Sequence, residues 1–138
     1  MSRIINTENP GRLRKSLSVA ILYTVRELNR KAQSDDEAQD MLAFVVISLR
    51  AIYNSIETTV QAWEKRGYWL KADRFRMEWD WAGFESTKLA SALAGERWVE
   101  IAEILVRVSV RLKNVQLPAK PRLFKPWLGC RGKLSEAN

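Results

Sequence analysis

Residues 35–66 read DDEAQDMLAFVVISLRAIYNSIETTVQAWEKR. Apolar side chains recur at Ala38, Met41, Leu42, Val45, Leu49, Ile52, Ile56, Val60 and Trp63. Steps of three and four residues place them on one stripe of an α-helix. The helix opens with acids, which suit the positive end of its dipole. Ser34, with Glu37 three residues later, has capping-box spacing. Gly67 follows as a left-handed C-cap. At 1.5 Å per residue the element is roughly 45 Å long, the spine of whatever packs around it.

The same period runs outward in both directions. Upstream, Asn9 and Pro10 suit the start of a helix over about 10–32. Its stripe is Leu13, Leu17, Ala20, Ile21 and Leu28, with Thr24 in the row. Downstream, about 70–94 carries Ala72, Phe75, Trp79, Ala82, Leu89 and Leu93, with Ser86 inside the stripe and Gly83 as a weak point. After Gly95-Glu96, about 96–113 carries Trp98, Ile101, Ala102, Leu105, Val108 and Leu112. Beyond Asn114, Pro118, Pro121, Pro126, Gly129 and Gly132 break the pattern. The expected fold is all-α, an antiparallel up-down-up-down four-helix bundle over 1–114. An extended, basic, Pro-containing tail over 115–138 packs on or beside it.

One domain accommodates 138 residues. Histidine is absent, which excludes Ser–His–Asp and Cys–His nucleophile systems and His-ligated metals. One cysteine, Cys130, forms no intrachain disulfide and suits a reducing compartment, so the expected location is cytoplasmic. The clean apolar run Met41 to Ile47 is too short to cross a bilayer, and no membrane partner is expected. No phosphate-cradling glycine loop occurs. Asp35, Asp36, Glu37 and Asp40 cluster at a helix start, where capping accounts for them. Asp73, Glu78 and Asp80 alternate with Lys71, Arg74 and Arg76 at ordinary ion-pair spacing. These residues imply no enzyme, no cofactor and no metal.

Two features point to binding. Trp63 to Trp81 holds four of the six tryptophans, mixed with Lys65, Arg66, Lys71, Arg74 and Arg76. Such a mixture stacks bases, holds phosphates or anchors a protein partner. Equally, Trp63, Trp69 and Trp79 at helical spacing seal the end of a core. Trp81 lies off that stripe and reads as an exposed anchor, so Trp69 and Trp81 are the candidate interface pair. The second feature is charge. The chain carries +7, of which residues 1–34 hold +5 and residues 115–138 hold +4. An up-down-up-down bundle brings both termini to one end, beside the turn at Gly67. Arg12, Arg14, Lys15, Lys120, Arg122, Lys125, Arg131 and Lys133 would then form one patch suited to RNA or DNA backbones. The alternative is that each tail is solvated or folds back along the bundle.

Lys71-Ala72-Asp73-Arg74, followed by Met77-Glu78-Trp79-Asp80-Trp81, resembles the start of the third helix in the bundle proteins encoded in ribosomal-RNA intervening sequences. That group includes the accessory variability determinants of diversity-generating retroelements. The resemblance covers the bundle and not the Pro-containing tail. It implies a non-catalytic accessory that binds nucleic acid, assists a reverse transcriptase and forms homo-oligomers. The alternative function is a homo-oligomeric scaffold for a protein partner.

Overall fold

The computed structural model describes residues 9–31, 35–117 and 125–137. They form five helices and no strand: α1 Pro10–Asn29, α2 Asp36–Lys65, α3 Trp69–Ala94, α4 Trp98–Arg111 and α5 Cys130–Ala137. The protein is all-α.

Local chemistry sets the helix ends. The Asn9 side chain accepts the Arg12 N–H at the start of α1. The cap of α2 is Asp35, which accepts the Ala38 N–H at 2.8 Å. Ser34 lies outside the described residues, and Glu37 is turned to other partners, so the expected capping box gives way to an aspartate cap one position later. The amides past α2 fold back, Gly67 to the Glu64 carbonyl and Tyr68 to that of Trp63. The motif needs one left-handed residue, and Gly67 supplies it at φ +82°. The end of α3 repeats the motif, with Glu96 to Leu93 and Arg97 to Ala92. There the left-handed residue is Glu96, at φ +51°, and not Gly95.

Helix α2 is central. It packs against α1, α3 and α5, while α3 also packs on α4 and α1 barely reaches α4. This explains why α2 buries more than one stripe: Ala43, Val46, Ser48 and Ser55 are covered along with the expected row, and Trp63 is half-buried. By length and composition alone α2 could cross a bilayer. Its apolarity is accounted for by packing, since Met41, Val45, Leu49 and Ile52 are all sealed in the core. Paired residues give the helix directions. Arg14 reaches Ser55 and Lys31 reaches Glu37, so α1 and α2 run antiparallel. Glu57 meets Arg76, and the Tyr53 ring lies over Gly83, so α3 returns along α2. Gly83 leaves α3 unbroken. A Cβ there would come within 2.9 Å of the Tyr53 ring, so the glycine permits close helix contact.

Three expectations are corrected. Trp81 is buried, only 8% exposed, stacked on Trp79 and covered by Arg111. α3 faces α2 on one side and α4 on the other, and Trp81 fills the second face. The inner stripe of α4 is Ile101, Ile104, Val108 and Leu112, which leaves Trp98 and Ala102 outside. The end of the chain is not simply extended. It closes with helix α5, whose Cys130 and Leu134 are buried together with Trp127.

Candidate functional site

Helix α4 is less than half as long as α2. The end of α2 and the start of α3 therefore project as a two-helix hairpin, covered among the described residues by the first turns of α1. This hairpin has its own small core of Ile56, Val60 and Ala72, flanked by Trp63, Phe75 and Trp79.

A line of cation–aromatic contacts runs across it. The Arg14 guanidinium lies 4.9 Å from the Phe75 ring centre. It also donates to the Ser55 and Thr59 hydroxyls at 3.3 and 3.4 Å. Phe75 meets Trp63 edge-on at 5.0 Å, and the Lys71 ammonium sits 4.5 Å over Trp63. Burial lowers the Arg14 pKa from its ordinary value. Arg14 is thus held inward, tying α1 to the hairpin.

Beyond Lys71 lies an open recess of about 800 Å³, walled by Trp63, Tyr68, Trp69, Leu70 and Arg74. Trp69 is 62% exposed at its rim, with Tyr68 and Leu70 also outward. Trp63 and Trp79 take the half-buried, core-sealing role; Trp69 does not. Arg76 is neutralised by Glu57, Glu64 and Asp73. In contrast, among the described residues no carboxylate lies within ion-pair distance of Arg12, Lys15, Lys65, Arg66 or Arg74, and all five are exposed.

The terminal basic residues do not converge. Arg12, Arg14 and Lys15 stand at the hairpin end, where Arg14 touches Ser55. The described part of the C-terminus lies at the other end of α2. There Lys125 pairs with Glu37 at 3.0 Å and Arg131 with Asp36 at 3.8 Å. Ser55 and Asp36 are separated by roughly 30 Å of helix. Lys133 is exposed on α5, at that far end. Lys120 and Arg122 lie outside the described residues. The single patch expected from the termini is therefore split, because 125–137 folds back along α2.

The acids at the start of α2 explain the fold-back. Glu37 accepts from Lys31, Lys125 and the Trp127 indole, and these hold its pKa down at about 2. Asp40 accepts the backbone N–H groups of Gly129 and Arg131, capping α5 from another helix. Nothing in the sequence near α5 announces that cap.

Among the described residues no group of three or more His, Cys, Asp or Glu is placed to hold a metal ion. Cys130 is buried, and desolvation raises its pKa, the reverse of an activated thiol. Against known proteins, the chain matches no family, no curated protein and no solved structure.

Proposed function

We propose that this chain is a non-catalytic, cytoplasmic accessory protein that binds nucleic acid at the hairpin end, in an up-down-up-down bundle formed by α1 to α4. A role beside a reverse transcriptase rests on the resemblance of residues 71–81 alone. The observation that carries the binding reading is the set of exposed cations Arg12, Lys15, Lys65, Arg66 and Arg74, without an ion pair among the described residues, around exposed Trp69 and Tyr68. Cations attract the phosphate backbone, and the aromatic faces accept bases. Lys125 and Arg131 take no part, since both are already paired at the other end of α2.

The scaffold reading through Trp69 and Trp81 is weakened, because Trp81 is inside the protein.

The deciding experiment is titration of a labelled single-stranded RNA and its DNA counterpart across a salt series. Affinity should fall steeply with salt, and joint replacement of Arg12, Lys15, Arg66 and Arg74 by alanine should flatten the slope. Absence of binding at low salt, or binding indifferent to salt, would sink the proposal.

A further inference from the structure

Helix α4 carries a second apolar stripe. Val99, Ala102, Val106 and Val110 follow one another by three or four residues, on the side away from Ile101, Ile104 and Val108. Val99 is 78% exposed, Val106 63% and Val110 59%. β-Branched side chains have modest helix propensity, so packing rather than helix formation is the reason to place three valines there.

We infer that this stripe is the contact face of a homodimer in which α4 packs antiparallel on α4 of a second copy. In an antiparallel pair the two-fold axis brings each flank of the stripe against the same flank of the partner, with direction reversed. Pairing about the middle of α4 sets Val99 beside Val110, and Ala102 and Val106 between them. On one flank Glu103 then faces Arg107. On the other, Trp98 faces Lys113, an exposed cation with no ion pair among the described residues, in reach of the indole. Both flanks are self-complementary in this arrangement. A parallel copy would set Glu103 and Arg107 against Trp98 and Ser109, with neither pairing. Arg107 is held by Glu85 at 2.7 and 2.9 Å, and about half its side chain remains exposed to meet a second acid.

One helix pair buries little area, so the dimer should be of moderate strength, with a dissociation constant on the order of 10 µM. The test is sedimentation equilibrium of the full chain, with helicity followed by circular dichroism. Val106→Glu should weaken association by roughly a hundredfold, because each copy would bury a carboxylate against the partner's valines. Glu103→Arg, set opposite Arg107, should weaken it by about tenfold. Neither touches the inner stripe, so helicity should hold. Trp69→Ala, at the far hairpin, should leave association unchanged. A monomer at concentrations up to about 200 µM, or a dimer that survives Val106→Glu, would overturn the inference.

Discussion

The Trp127 indole N–H donates to the Glu37 carboxylate at 3.1 Å, joining residues 90 positions apart. Trp127 is buried while also stacking on Tyr23 of α1 at 5.9 Å. The same carboxylate takes Lys31 and Lys125. One acid thus ties together the end of α1, the start of α2 and the returning C-terminal segment.

That arrangement fixes an acid sensitivity. The Glu37 carboxyl sits at about 2 when folded against an ordinary 4.5. A depressed acid contributes stability that is fully present above the unfolded value and is lost as pH falls toward the folded one. Protection of the 125–137 amides from hydrogen exchange should therefore be constant above pH 4.5 and decline between there and 2. Glu37→Gln should remove most of that dependence, because it keeps an acceptor for Trp127 and loses both ion pairs. An unchanged profile in Glu37→Gln would show that other acids hold the segment.

The Glu85 carboxylate is buried in α3 and receives both arms of Arg107 from α4. Breaking such a pair costs more than replacing it, because the remaining charge is stranded. Arg107→Ala should destabilise the fold by about 2–3 kcal/mol in urea titration. The double change Glu85→Leu with Arg107→Leu should cost less than the single one. If the single change proves neutral, water reaches Glu85 freely.

Glu96 takes the left-handed position that ends α3, where a side chain is unfavourable. Glu96→Gly should stabilise by about 0.5–1 kcal/mol, seen as a higher Tm. At Gly83 the sign reverses. Alanine gains helix propensity of roughly 1 kcal/mol there but drives a methyl into the Tyr53 ring, and the overpacking should win by a small margin.

These helix ends show what the sequence made legible. The four main helices were readable because each carries a period that burial requires, and Asn9 and Gly67 punctuate them by local chemistry. The start of α5 was not readable, because its cap, Asp40, lies on α2. Yet Trp127, Cys130 and Leu134 already had helical spacing, a signal masked by Gly129 and Gly132. Trp81 was misplaced because one stripe was assigned to a helix that packs against two neighbours. The joined basic patch failed for a nonlocal reason too: Glu37 and Asp36 draw Lys125 and Arg131 to the far end.

Arg14 is a structural cation at the hairpin, set apart from the exposed ones proposed to bind. Its guanidinium is committed to Ser55, Thr59 and Phe75, whereas Arg12 and Lys15 project outward from the same turns of α1. Arg14→Ala should therefore lower stability by about 1 kcal/mol, the scale of one hydrogen-bonded, ring-stacked cation. Arg12→Ala should leave stability within about 0.5 kcal/mol and reduce the salt slope of nucleic-acid binding by roughly one unit. Arg14→Lys discriminates further. Lysine keeps the charge but lacks the flat guanidinium that lies over the Phe75 ring while its Nη1 meets both hydroxyls. Stability should fall nearly as far as in Arg14→Ala, while the salt slope stays near that of the unmodified chain. A slope that drops with Arg14→Ala yet not with Arg12→Ala would move the phosphate contact inward, onto the line from Phe75 to Trp63.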